Sequence, residues 1–286
     1  MSRTFIASSV TAAIGLLVFL YLWNDSKDSQ NESAGSNQPN SNGSSRSGLP
    51  SNHEVPSRRI KHTIDDEAAR FRKEWGVKMN PAGDCLFETE GDLLRITVPG
   101  SEEPHDLNPE AGTPGSDNAP RVLKPVNGDF IIQVKMNAVE DPGEDSTQPG
   151  FTGYVGAGLV VFADAKNFVR LERATLRRPG GDAIPYTNFE IRVDGVTERF
   201  GSTGDLPTED GRPTWLRIER RGSEMHGAMS HDGETWTTTD PKTLSAEVWD
   251  HAGIQAGIAA VSTSIWSFKP EYSDFSIIQV RIEPDE

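Results

Sequence analysis

The chain has 286 residues, 35% of them hydrophobic, with 43 acidic against 28 basic side chains and a formal net charge of −15. That acidity argues against nucleic acid as a partner, because binding there depends on neutralising phosphates. The single cysteine, Cys85, excludes an intrachain disulfide, so an extracytoplasmic domain of this chain must rest on its core alone.

Residues 5 to 23 run from Phe5 to Trp23 without a charge. As a helix they would reach about 28 Å, close to the thickness of a hydrocarbon core. Arg3 precedes the span and Asp25, Lys27 and Asp28 follow it, a small bias that leaves the amino terminus in the cytoplasm. Residues 1–23 are therefore expected to be an uncleaved signal-anchor, a single-pass helix in the cytoplasmic (inner) membrane with the rest of the chain outside. A cleaved signal peptide is the rival reading; against it, the apolar run ends in bulky Tyr21-Leu22-Trp23 where cleavage wants small residues. Residues 24–60 collapse to Ser, Asn, Gly and Asp, which cannot bury enough surface to offset ordering entropy, and are expected to form a disordered linker. The first 60 residues hold five basic and four acidic side chains, so residues 61–286 carry a net charge of −16.

Asp65 to Trp75 opens on carboxylates and ends near Arg72 and Lys73, the order a short helix prefers. Beyond it the chain alternates. Strands are predicted at 93–98, 130–136, 158–163, 168–173, 189–193, 198–200, 215–220, 224–230, 254–261 and 275–282. The run 158–163 is almost wholly apolar and is expected to be covered on both faces. Asp194-Gly195, Asp210-Gly211 and Asp232-Gly233 mark turns, and Asp232-Gly233 is expected to close a type I′ hairpin. Trp215, next to Leu216 and Ile218, is expected in the core. Two long stretches, 100–121 and 140–153, are polar, Pro- and Gly-rich and read as loops. Residues 61–286 are thus predicted to be all-β, an antiparallel two-sheet β-sandwich.

No strong catalytic motif emerges. No pair of alternating acids matches a glycosidase strand; Glu88 and Glu90 come nearest and read as a solvated strand end. Glu172, Glu190 and Glu219 lie in strands beside arginines, a pattern that normally marks a wet face. The six histidines show no zinc-ligand spacing, and Cys85 reads as a small buried hydrophobe. Asp106, Asp117, Asp141 and Asp145 on the long loops could assemble a calcium site. No other cofactor is implied. The candidate ligand-binding residues are Glu172, Glu190, Tyr186, Trp249 and Trp266, with Tyr154 near a loop beside them: carboxylates to accept sugar hydroxyls and aromatics to stack on the rings.

One ordered series of segments carries a resemblance. It comprises Asp84-Cys-Leu-Phe with Leu93-Leu94 and Ile96, Asn118-Ala-Pro-Arg-Val with Gly128-Asp-Phe, the long run from Gly156 to Glu172, Trp215-Leu-Arg-Ile-Glu-Arg-Arg-Gly, and Asp274-Phe-Ser-Ile. Over about residues 70–283 it resembles the concanavalin A-like jelly roll of the uncharacterised "regulation of enolase" type, and is similar to the accessory sandwich of β-xylosidases. The resemblance implies a noncatalytic, carbohydrate-associated module. Three readings follow: a membrane-tethered lectin-like module that binds a polysaccharide or glycan; a structural envelope component whose partner is another protein; and a polysaccharide hydrolase or lyase using Glu172 with Glu190 or Glu219.

Overall fold

A computed structural model of the chain describes residues 57–107, 117–147, 149–150, 152–200, 206, 208–209, 211–249 and 253–280. The expected membrane anchor and all but the last residues of the expected linker lie outside them. Among the described residues no helix is long and apolar enough to cross a membrane.

Helix α1 covers Ser57–Glu74, so it begins inside the segment assigned to the linker and eight residues before the predicted start at Asp65. The carboxylates that suggested a first turn sit in its middle. Phe71 and Trp75, four residues apart, share one face and are both buried. Trp75 stacks on Phe275 with ring centroids 5.5 Å apart. The chain leaves the helix at Gly76, whose φ of 120° and whose closeness to the Leu123 carbonyl (2.5 Å from a Cβ placed there) admit only glycine.

Fifteen strands are described. They are β1 (Val77–Met79), β2 (Leu86–Glu90), β3 (Leu93–Thr97), β4 (Arg121–Pro125), β5 (Phe130–Met136), β6 (Gly153–Asp164), β7 (Asn167–Arg177) and β8 (Ala183–Val193). After them come β9 (Val196–Phe200), β10 (Thr214–Arg221), β11 (Glu224–Ser230), β12 (Thr237–Thr238), β13 (Lys242–Thr243), the short helix α2 (Ala246–Trp249), β14 (Gln255–Ser262) and β15 (Glu271–Gln279). One antiparallel sheet has the order β1-β4-β14-β6-β7-β8-β9; the other has β12-β11-β10-β5-β15-β3-β2, with β13 on β11. The predicted strands at 130–136 and 224–230 match to the residue. The last strand lies earlier than predicted, and a bulge between Ser273 and Ser276, with Asp274 at φ 51°, breaks its alternation. The short strands β1, β12 and β13, the exposed β2 and the strand β4 were not predicted.

The main core is one cluster from both sheets. Val155, Ala157, Leu159, Val161, Val169, Leu171, Phe189 and Ile191 meet Leu94, Ile96, Phe130, Ile132, Leu216, Ile218 and Met225 in it. The alternate residues of the seven-stranded sheet face the other way, where Leu123, Val160, Phe168, Ala259 and Val261 pack with Leu107 and Ala119 from the chain before β4. That sheet is therefore covered on both faces, as the apolar run 158–163 indicated.

Two expectations are corrected. Trp215 is not in the core: Leu216 and Ile218 are fully buried, and the two-residue period of a strand turns Trp215 and Arg217 to the opposite face. There the Lys135 ammonium lies 4.5 Å from the Trp215 ring, and Arg217 lies 3.8 Å from the ring of Trp236. Asp232-Gly233 does not close a two-residue hairpin, because Met229 pairs with Thr237 across a seven-residue loop and only Gly233 has positive φ. Asp232 organises the loop instead, its Oδ1 accepting from the amides of Glu234 (2.8 Å) and Thr235 (2.7 Å) and from Ser230 Oγ (2.8 Å). Those amides hold its carboxyl well below the usual range. The type I′ geometry is realised at Asp194-Gly195, with φ of 51° and 82° between the paired Val193 and Val196.

Candidate functional site

On the face of the seven-stranded sheet away from the main core, β7 presents Phe168, Arg170, Glu172 and Ala174, and β8 presents Tyr186, Asn188, Glu190 and Arg192. Register pairs them directly: Phe168 with Arg192, Arg170 with Glu190, Glu172 with Asn188, Ala174 with Tyr186. On β6, Gly156 and Gly158 lie opposite Ala174 and Glu172. Gly156 leaves room for the Tyr154 side chain to fold back along the strand; a Cβ there would sit 2.6 Å from Tyr154 Oη. The hydroxyl thus reaches Glu172 and donates to Oε2 at 2.7 Å.

The centre of the cluster is Arg170, 8% exposed. Its Nη2 donates to Glu190 Oε2 at 2.9 Å, and its Nη1 lies 3.5 Å from Glu172 Oε1 and 3.8 Å from Asp106 Oδ1. Asn188 Nδ2 donates to Glu172 Oε2 at 3.4 Å, and Arg192 Nη2 stands 3.5 Å from Glu190 Oε1. Asp106 arrives from the chain before β4. That segment is fixed by paired backbone bonds between His105 and Ser262 (2.8 and 2.9 Å) and by Asn118 Oδ1, which accepts from the Asp106 amide at 2.9 Å. Tyr154 and Tyr186 sit at one margin of the cluster as a tilted pair, centroids 6.4 Å apart, and both are half-buried. Phe168 and Phe162 border the other margin.

Burial dominates the electrostatics. It raises the Glu172 carboxyl above its ordinary range in spite of Arg170 and the Tyr154 hydroxyl, and raises Asp106 in spite of Arg170. Burial, with the Glu172 charge beside it, lifts the Tyr154 phenol well above its usual value. For Arg170 burial works against the charge, but Glu172 and Glu190 outweigh it and hold the guanidinium firmly protonated. Among the described residues, Arg170 Nε and Nη1 and Glu172 Oε1 are buried without a hydrogen-bond partner. Nη1 and Oε1 face each other in the 3.5 Å ion pair, so their charges are met inside the cluster.

Of the residues expected from sequence, Glu172, Glu190 and Tyr186 come together here, joined by Tyr154. Trp249 does not: it is 1% exposed in the main core, anchored where its carbonyl accepts from Arg220 Nη1 at 2.7 Å, and has no surface for a ligand. Trp266 is 60% exposed on the loop after β14, with its indole against Gly143. Glu219 belongs to β10 in the other sheet and cannot join Glu172. Nor do the four aspartates converge: Asp106 faces Arg170, Asp117 faces Arg121 at 3.1 Å, Asp141 faces Arg177 at 2.7 Å, and Asp145 is exposed. Among the described residues, the donors that do converge with metal-ligand chemistry are Asp84, Cys85 and His105, their ligand atoms within 4.8 Å of one another. Burial and the Asp84 carboxylate push the Cys85 thiol up to about 12. Arg170 and Asn188 escaped the sequence reading. The available signal was parity, which places both on the face of Glu172 and Glu190.

No family model matches the sequence, and no curated protein matches it. Among solved structures, the fold is similar to a functionally unknown protein from Saccharomyces cerevisiae, at TM-score 0.50 and 12% identity over 72% of this chain and 96% of that one. It is also similar to the GH43 protein BlXynB of Bacillus licheniformis, at TM-score 0.50 and 16% identity over 71% of this chain and 36% of that one, so the likeness spans about a third of the Bacillus protein. Both likenesses concern the fold, a two-sheet antiparallel sandwich of jelly-roll type.

Proposed function

We propose that this chain is a noncatalytic carbohydrate-binding module, tethered to the cytoplasmic membrane by residues 1–23 and displayed outside it. The observation that carries the reading is the cluster of Tyr154, Arg170, Glu172, Tyr186, Asn188 and Glu190 on one sheet face. Its charged centre is buried, so what it offers a ligand is its margin, where the Tyr154 and Tyr186 rings are half-buried and the Tyr154 hydroxyl is oriented by Glu172. Sugars need this combination of orienting polar groups and flat apolar surface. Tyr186, half-buried at the margin, is the side of approach. The fold likeness to part of a GH43 protein and the resemblance to accessory sandwiches accord with a module that binds without reacting.

A hydrolase is the weaker reading. Glycosidic carboxyls must flank a scissile bond, about 5 to 10 Å apart. Here Glu172 and Glu190 flank the Arg170 guanidinium instead, which occupies the place a substrate would need.

The test is binding of the purified full chain to a polysaccharide panel, in parallel with Tyr154→Phe and Asn188→Ala. Binding to one class of polysaccharide, weakened about tenfold or more in both variants, is the expected result. Silence across the panel would move the reading to a protein partner. Retained binding in both variants would place any glycan site elsewhere.

A further inference from the structure

The second constellation lies beside an open cleft of about 620 Å³, lined by Asp84, Ser101, Glu102, Glu103, His105 and Asp117 among others. His105 Nε2 is 3.0 and 3.2 Å from the two Asp84 carboxylate oxygens, and Cys85 Sγ is 3.4 Å from Asp84 Oδ1. Bond lengths of about 2.3 Å to sulfur and about 2.0–2.1 Å to nitrogen and oxygen, at a tetrahedral angle, put donor atoms roughly 3.3–3.6 Å apart. The two Asp84 separations already lie close to that range. All three donors lie within 4.8 Å of one another, so an ion entering between them closes the remaining separation by side-chain rotation.

The backbone carrying the donors is held independently of them. Asn80 clamps the Cys85 peptide from both sides, its Nδ2 donating to the carbonyl at 2.8 Å and its Oδ1 accepting from the amide at 3.4 Å. His105 is locked to Ser262 by the two backbone bonds described above. Cys85 and His105 are buried, whereas the Asp84 side chain is 41% exposed and opens the set to the cleft. Glu102, Glu103 and Asp117 give that entrance a negative field, which draws cations in.

We propose that Asp84, Cys85 and His105 form a binding site for a borderline-soft divalent cation, zinc in the first instance, with the fourth position open to the cleft. The donor set selects the ion: a thiolate and an imidazole suit zinc, whereas calcium and magnesium take oxygen. Binding releases the Cys85 thiol proton to solvent, moves the His105 ring proton from Nε2 to Nδ1 so that Nε2 can coordinate, and replaces the His105–Asp84 hydrogen bond with metal–ligand bonds. The ion would tie the chain before β2 to His105, the neighbour of Asp106, and so fix the segment that reaches Arg170.

Cobalt and zinc titrations of the purified full chain test the proposal. The expected result is one equivalent bound, with thiolate-to-cobalt charge-transfer absorption that zinc bleaches and Cys85→Ser abolishes. Asp84→Asn alters an exposed carboxylate, so it should keep the fold by circular dichroism while weakening zinc binding roughly tenfold or more. The proposal is overturned if cobalt gives no charge-transfer band in the wild type, or if Asp84→Asn binds zinc as tightly as the wild type does.

Discussion

Replacing Arg170 by Met keeps the length and apolar stem of the side chain and removes its charge. The loss falls on three carboxylates. Glu190 loses its 2.9 Å partner but keeps Arg192 at 3.5 Å, whereas Glu172 and Asp106 lose the cation that faces them at 3.5 and 3.8 Å. Breaking a buried charge pair from one side costs about 3–5 kcal/mol. In a domain of this size that lowers the melting temperature by roughly 6–20 °C. The sign of the pH dependence follows from the carboxyls. Without Arg170, the native pKa of Glu172 and Asp106 rises further above its unfolded value. A carboxyl raised in this way favours the native state below its unfolded pKa, near pH 4, and loses that contribution as pH rises through the native value. The deficit of Arg170→Met against wild type should therefore be small near pH 4 and full at neutral pH, read by thermal and urea unfolding across that range. Neutralising Glu172 to Gln and Asp106 to Asn in the same variant should recover most of it. A deficit below about 1 kcal/mol that ignores pH would show that water screens the cluster and would refute the argument from burial.

Tyr154→Phe removes the 2.7 Å bond to Glu172, and urea denaturation should show a loss of about 1–3 kcal/mol. Asp232→Asn should destabilise the Ser230–Thr235 loop above about pH 4, where Asp232 is ionised in native and unfolded chains alike, and the difference should fade as pH drops through the depressed native pKa; denaturation midpoints in a pH series check this. Trp249→Ala should cost about 3–5 kcal/mol as a core cavity, yet leave the polysaccharide affinity of the folded fraction unchanged. Trp266→Ala should shift stability by no more than about 0.5 kcal/mol, whereas Tyr186→Ala should weaken polysaccharide binding about three- to tenfold.

Strands such as β5 and β11 were legible because alternation and turn chemistry agree along their whole length, and alternation survives wherever one face alone is buried. β2 lacks that signal: it is an edge strand whose residues are nearly all exposed, so no face stands out. Parity alone turns Trp215 away from the core, since a residue between Thr214 and Leu216 cannot share their face. The helix begins before its charge pattern does for a different reason. Ser57-Arg58-Arg59 continues the polar composition of the preceding tract, and what orders this end of the chain is the Phe71–Trp75 face packed against the sandwich.

The buried carboxylates mark a deeper limit. Glu172 and Glu190 alternate with apolar residues as a solvated face does, and nothing within β7 or β8 distinguishes them from one. They are buried because the chain around residues 105–107 and 118–119, more than fifty residues upstream, folds over that face. The same segment supplies Asp106 to Arg170 and His105 to Asp84 and Cys85, so one covering element completes both constellations. It lies in the acidic, proline-rich stretch that composition assigns to a loop. Its placement is set by non-local bonds: His105 to Ser262, Asn118 to Pro104, and Ala260 to Pro120. A local pattern can mark a strand and its parity, but whether the outward face meets water or protein depends on which distant backbone pairs with the sheet. Replacing His105 and Asp106 together by Ala should therefore abolish the cobalt charge-transfer band and lower the melting temperature in the same molecule.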